Sequence, residues 1–444
     1  MARRRGETNA EGSWRNWAGD QACRPASFQQ PRTVDDVHDA IAYAGDRDWT
    51  VRVAGAGHSF SDAVPTDGLL LSLARLNRVR DVDPSSGRVR VEAGITLHQL
   101  NEELDGHGLA LENLGDIDVQ SVAGATATAT HGTGARLQNL SAQIESLRIA
   151  TPSGVELEVT RASDLDAWRA ARVSIGSLGV VTEVTLRTVP SFTLRGIDEA
   201  RPLEEVLEGI DQLVETNDHF EFFTFPHSPL ALTRTNNRVE ENPKPRPRAM
   251  AWVNDVLVTN HIFGLICRAG RRWPSRIPTF NRLVSRVAGS SVRVDRSYRI
   301  FSSPRRVRFT EMEYAIPREH GPEAVRAVRA LVEDRGFHVP FPLEVRFVAP
   351  DDAYLSPAAG RDTCYIAVHM FQRMEWEPYF RGVEAIMDDF GGRPHWGKRH
   401  FQTAGTLRAR YPEWDRFAAV RKRLDPQGRF ANSYVTRVLG GLET

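Results

Sequence analysis

Short runs in which apolar and polar positions alternate, or recur at helical spacing, fill the first 190 residues. Behind Thr33 the apolar positions of 36–48 (DVHDAIAYAGDRD) follow helical spacing. Thr33 and Asp36 form a capping box with an acidic first turn, so a helix begins there. Residues 50–57 (TVRVAGAG) read as a β-rich run ending in small residues, and 87–94 (GRVRVEAG) as a half-buried strand. A helix closed by glycine is predicted over 97–108, a hairpin around Pro152-Ser153-Gly154 over 144–160, and a strand halted by Pro190 over 176–190.

After Pro190 the pattern changes. Helical spacing over 202–216 and 321–336 is interleaved with strand-like 220–226, 311–317, 342–348 and 363–371. One antiparallel sheet covered by helices is expected. Residues 237–249 are rich in proline and charge and read as an exposed loop. Residues 410–426 read as a docked helix, followed by a closing segment. The apolar stretch 251–268 is interrupted by Asn254, Asp255, Asn260 and His261, so it reads as a buried or surface-docked helix and not a membrane span.

Composition narrows the function. The chain carries 57 Lys and Arg against 57 Asp and Glu, a formal net charge of zero. That balance argues against nucleic-acid or anionic-membrane binding as the main role, while leaving room for a local basic patch. Cys23, Cys267 and Cys364 form no close pair, which points to a reducing compartment without a zinc or disulfide framework. The basic start MARRRGETNAEG leads into no apolar run and reads as a tail.

Three glycine-rich patches carry the candidate chemistry. Ala54-Gly55-Ala56-Gly57-His58-Ser59 follows a strand; its amides can form an anion nest, or the segment is a tight turn. It is not a Rossmann fingerprint, since no glycine stands at the sixth position from Gly55 and no helix follows. Gly124-Ala125-Thr126-Ala127-Thr128, continuing to His131 and Gly132, holds no large aliphatic side chain. It suits a flat ligand lying on the backbone, or a small-residue strand beneath a helix. The third patch runs from Ser174 through Gly176, Gly179, Val180 and Val181. Glu344 and Arg346, two apart on a strand, point to one face. His369 is a candidate proton acceptor or a satisfied core histidine, and no cysteine or aspartate partner supports a metal at His395 and His400.

Taken with Asn16-Trp17-Ala18-Gly19 and the segment His395-Trp396-Gly397-Lys398, these motifs resemble the sugar-1,4-lactone and alditol oxidases, FAD enzymes of the vanillyl-alcohol-oxidase type. The likeness runs from Asn16 to Val438. It implies a two-domain α+β fold: a tail over 1–19, a PCMH-type FAD-binding domain over 20–190, and an antiparallel-sheet substrate domain over 191–400. Residues 401–444 then pack back on the FAD domain. The resemblance implies FAD bound covalently through His58. It sets Gly115, Asp116 and Ser121 beside the cofactor with the glycine-rich patches, and gives Glu344, Arg346 and Lys398 roles at the flavin and substrate; His369 and His395 join them as candidate catalytic residues. Gly115, where some members carry alanine and act as dehydrogenases, leans towards an oxidase. Asp116, where alditol oxidases carry serine, favours a lactone over an open-chain polyol. The implied reaction oxidises the hydroxyl beside the carbonyl of a small neutral lactone, with dioxygen or another acceptor taking the electrons. A cytoplasmic setting is expected, with peripheral membrane association open. A same-family dehydrogenase, a hydrolase or metalloenzyme using His131, His395 and His400, and a non-catalytic flavoprotein or binding module are the competing readings.

Overall fold

The computed structural model describes residues 7–8, 12–246, 261–287 and 289–442. In the first part of the chain a parallel three-stranded sheet has the order Ser27–Gln29, Leu69–Ser72, Val51–Ala54. Helix Val34–Gly45 covers it, capped by Thr33 in the expected capping box, and buries Val37, Ala40, Ile41 and Ala44 against Val51, Leu69 and Leu71. A second, antiparallel sheet of five strands has the order Glu156–Thr160, Ile144–Ala150, Val180–Arg187, Arg88–Glu92, Val79–Asp83. The last helices, Trp414–Leu424 and Ser433–Leu439, share its core: Phe417, Val420, Tyr434 and Val438 lie with Val89, Leu147 and Val184.

The remainder of the chain is organised by one eight-stranded antiparallel sheet. Its order is Ser291–Arg296, Thr193–Pro202, Leu230–Val239, His219–Thr224, Leu343–Val348, Thr363–Phe371, Phe309–Pro317, Arg393–Pro394. Strand periodicity sorts the side chains cleanly. Phe220, Phe222, Met312, Tyr314, Val345, Phe347, Ile366 and Val368 pack under helices Gly321–Asp334 and Glu377–Asp389. The alternate positions, Glu221, Glu311, Glu313, Glu344, Arg346 and His369, therefore occupy the opposite face.

Several expectations need correction. The small-residue run at 122–127 is a short helix, Val122–Ala127, because Ser121 accepts the Gly124 amide and no β-branched aliphatic residue follows Val122. Strands Thr193–Pro202, Leu230–Val239 and Ser291–Arg296 lie where no strand pattern was read, and the first three residues of the expected 237–249 loop close one of them. Residues 14–19 are not a tail: Trp14–Arg15 pairs with Ala22–Cys23, Trp14 is buried, and the Trp17 amide donates to Gly57 O at 2.7 Å. Of the stretch 251–268, residues 251–260 lie outside the described residues, and Phe263–Arg272 is helical.

One buried cation ties distant segments together. Arg52 donates to the carbonyls of Ala63, Ile175, Gly176 and Phe430 at 2.6–2.9 Å. Burial pulls its guanidinium down to about 10, yet no carboxylate hydrogen-bonds to it among the described residues. It also holds Ile175 and Gly176 in the left-handed region, at φ +55° and +64°. Arg52→Met leaves the Ile175, Gly176 and Phe430 carbonyls without a donor, while Ala63 O keeps Asn432 Nδ2 at 3.3 Å. We expect it to destabilise the protein by about 3 kcal/mol or more in urea denaturation.

Candidate active site

A cleft of about 870 Å³ lies over the polar face of the long sheet. Its lining brings together His58, Ser59, Gly115, Asp116, Thr128 and His131 from the first part of the chain with Glu344, Arg346, His369, His395 and Lys398. All five residues expected to carry catalysis therefore share one cleft.

Glu344 and Arg346 are 7% and 8% exposed, which excludes a surface ion-pair stripe. Arg346 Nε donates to Glu221 Oε2 at 2.7 Å and Nη2 contacts Glu344 Oε1. That carboxylate oxygen is buried and engaged by this ion pair. Burial, with repulsion from Asp116 and Glu221, pushes the Glu344 carboxyl up to about 7 against the attraction of Arg346.

His369 donates through Nδ1 to Pro342 O at 3.2 Å, while Nε2 faces Glu311 at 3.5 Å and Glu344 at 3.9 Å. Burial disfavours its imidazolium, but Glu311 and Glu344 outweigh that and raise its pKa. Lys398 Nζ contacts Glu311 and lies 4.0 Å from Glu313. These carboxylates raise the ammonium pKa despite burial. His395 is the reverse case: burial holds its ring down near 3, and its Nδ1 accepts the Gly397 amide at 3.0 Å, so the proton sits on Nε2.

His131, Glu313 and His395 bring one ligating atom each within 4.8 Å of one another. His131 Nε2 lies 3.2 Å from Glu313 Oε1, its Nδ1 faces Gly132 O at 2.9 Å, and Tyr365 stacks on its ring at 3.7 Å. These contacts form a hydrogen-bonding set. Burial opposes ionisation of Glu313, but His131, Lys398 and His395 hold its carboxyl well below the ordinary range.

Sequence reasoning missed Glu311, Glu313, Glu221 and Arg305. The first two obey the same two-residue alternation that singled out Glu344 and Arg346, so the signal was present in EMEYAIP. Arg305 carried no signal: it comes from the irregular segment 302–308, and it clamps Asp116 through Nε at 3.1 Å and Nη2 at 2.5 Å. Burial resists, yet Arg305 and Arg346 hold Asp116 far towards its ionised form.

The glycine-rich patches divide. The amides from Gly55 to Ser59 make no hydrogen bond among the described residues. Gly55 and Gly124 face each other so closely that a Cβ on Gly55 would lie 2.8 Å from Ser121 Oγ and 3.5 Å from Gly124 Cα. His58 stacks on Trp17 (5.3 Å, 23°), and burial and Lys398 lower its ring pKa to about 4, leaving a neutral imidazole. Other positions serve packing. Ala125 is in the core, and the Thr126 hydroxyl donates to Val122 O at 3.0 Å. A Cβ on Gly132 would meet Leu114 O at 2.2 Å, and one on Gly179 would meet Ile149 Cγ2 at 2.5 Å. Val180 belongs to the core under helix Val34–Gly45, and Val181 packs against it.

Residues 184–438 match the D-arabinono-1,4-lactone oxidase family, and residues 25–160 match the FAD binding domain family. The chain belongs to the D-arabinono-1,4-lactone oxidase family. It is 54% identical over 427 residues to "L-gulono-1,4-lactone dehydrogenase" of Mycobacterium tuberculosis, covering 96% of this chain and 99% of that one. It is 34% identical over 432 residues to "L-gulonolactone oxidase" of Bos taurus, covering 96% and 98%. The crystal structure of cholesterol oxidase from B. sterolicum superposes with a TM-score of 0.82 over 96% of each chain at 17% identity, which shows a shared fold alone. A family member of this kind is an FAD-dependent oxidoreductase. The residues present fit that cofactor: free amides at Gly55–Ser59, glycines that admit close backbone approach, and a neutral histidine at the cleft.

Proposed function

We propose that this chain oxidises a sugar-1,4-lactone (L-gulono-, D-arabinono- or L-galactono-1,4-lactone) at the hydroxyl next to the ring carbonyl, with dioxygen as the final electron acceptor. The observation that carries this reading is the buried Glu344–Arg346 pair, which lines the same cleft as His58 and Gly115. FAD, when bound, supplies the two-electron acceptor for the hydride of the carbinol carbon.

The chain's own groups handle position and protons. Glu344, pushed up to about 7, is matched to accept the hydroxyl proton near neutral pH. His369, whose imidazolium Glu311 and Glu344 favour against burial, is placed to donate to the ligand. Arg346 and the His395 Nε2–H supply donors to the lactone oxygens, and Lys398 supplies a cation for charge that develops during oxidation. Asp116, fixed by Arg305, offers acceptor oxygens to the hydroxyls of a neutral ligand. The product is a 2-keto aldonolactone, the tautomer of an ascorbate-type enediol. Three free cysteines support a reducing, cytoplasmic setting.

The neutral, half-buried His58 ring at the cleft supports covalent attachment through it. Acid precipitation should leave the yellow colour in the pellet for the wild type and release it for His58→Ala. Colour in the wild-type supernatant refutes the bond.

Glu344 as base makes kcat/KM rise with pH along an acid limb near 7, because the carboxylate must be ionised to take the proton. Glu344→Gln should lower kcat/KM by about 100-fold or more and remove that limb. An unchanged limb reassigns it to another group.

The 54% relative's name favours a second reading, in which the electrons pass to an acceptor other than dioxygen. A lactone and alditol panel assayed in parallel for peroxide and dye reduction separates the two. A Cβ on Gly115 would sit 3.3 Å from His131 O and 3.5 Å from Thr130 Cγ2, filling space beside the cleft. Gly115→Ala is expected to depress peroxide formation while dye reduction persists. A wild type that reduces dye and forms no peroxide overturns the oxidase reading.

A further inference from the structure

On the outer rim of the cleft two helices, Phe263–Arg272 and Ile277–Val287, form a hairpin joined through Trp273 and Pro274–Arg276. Cys267 and Ile277 point inward, and Phe263 packs edge-on against Phe341 at 5.0 Å. The outer side is unusual. Nine large hydrophobic side chains are exposed among the described residues, and six of them, Ile262, Leu265, Trp273, Leu283, Val287 and Val292, fall on this hairpin and the strand after it. Leu265 is 58% exposed and Trp273 56%. Such clustering marks a surface built to be covered.

The charge pattern says by what. From His261 to Ser290 the sequence holds six arginines, Arg268, Arg271, Arg272, Arg276, Arg282 and Arg286, and not one aspartate or glutamate. A chain with 57 acidic residues among 444 would place about four there at its average composition. None of Arg268, Arg272, Arg276, Arg282 and Arg286 makes an ion pair among the described residues. No helix of the described residues is long and apolar enough to cross a membrane. We propose that this hairpin docks on an anionic lipid bilayer, lying in the interface with its leucines, Trp273 and Val287 towards the acyl boundary and its arginines on headgroup phosphates. Arginine suits this position, since its apolar stem lies along the hydrophobic surface while the guanidinium reaches outward. A second copy of the chain fits less well, because its own hairpin would set six arginines against six. Ile262, Phe280, Leu283 and Val287 also line the outer arm of the active-site cleft, so docking places the cleft mouth at the lipid surface.

The test is sedimentation of the full FAD-loaded chain with vesicles of phosphatidylglycerol and phosphatidylcholine, and with phosphatidylcholine alone. The chain should pellet with the anionic vesicles, less so as salt rises, and weakly with the neutral ones. L265D/W273D, which leaves the cleft lining intact, should lower the bound fraction by about ten-fold or more while flavin absorbance is retained. R272E/R276E should remove the preference for phosphatidylglycerol. No pelleting with anionic vesicles overturns the proposal, as does pelleting that neither variant changes. Self-association abolished by L265D/W273D, without vesicle binding, assigns the face to a second copy. Capture of an acidic protein partner without vesicle binding overturns it equally.

Discussion

Four buried carboxylates and the half-buried Asp116, gathered over one face of the long sheet, must each find a cation, and that requirement organises the site. Isolated, any one of them would cost several kcal/mol to bury. Arg346 sits between Glu221 and Glu344, Lys398 between Glu311 and Glu313, and Arg305 answers Asp116. The strands supply four of the carboxylates, but Lys398 and Arg305 arrive on irregular segments from elsewhere. Charge pairing therefore fixes where those segments lie. It also leaves the site with graded acidities: Glu313 and Asp116 held ionised, Glu344 close to neutrality, and His395 uncharged.

The same segments join the two cores. Trp396 is fully buried in the core of the five-stranded sheet and donates to Leu355 O at 2.6 Å, while Lys398, two residues on, reaches Glu311 on the long sheet. Phe60 N donates to Gly397 O at 2.7 Å and Ser61 Oγ to Trp396 O at 2.9 Å, binding the His58 turn to this connection. A Cβ on Gly397 would lie 3.3 Å from His395 and 3.4 Å from Ser59, so little space remains between the two turns. The turns that carry His58 and Lys398 are thus held together by hydrogen bonds of the chain itself, independent of any bound group.

Periodicity made most of the fold legible. Helix Val34–Gly45 and the central strands of the long sheet combine clear alternation with strong caps or β-branched cores. The strands Thr193–Pro202 and Ser291–Arg296 escaped because their alternation is diluted by glycine, arginine and aspartate near a sheet edge. At the site, motif residues such as His58, Gly115 and Lys398 were legible, yet the groups that tune them were not. Glu311 and Glu313 look like ordinary polar positions of a half-exposed strand until the covering domain buries them. Conversely, Thr126 and Gly179 belonged to glycine-rich patches for packing reasons, since short side chains serve close backbone contact and ligand contact alike.

Zero net charge is a poor description of this surface. A sum of 57 against 57 conceals a buried cluster in which acids and bases alternate within a few ångströms, and a hairpin that carries arginine alone. The two arrangements answer different constraints. Inside, neutrality is enforced locally, because desolvated charges of one sign cannot accumulate, and a neutral lactone needs hydrogen-bond donors and acceptors more than a field. Outside, charge of one sign accumulates freely in water, and it does so where apolar side chains are also left uncovered. Whole-chain balance thus excludes a molecule steered everywhere by one field, but it does not bear on a rim of thirty residues. What decides the behaviour of that rim is the coincidence of six guanidinium groups with five exposed apolar side chains, at the mouth of the cleft.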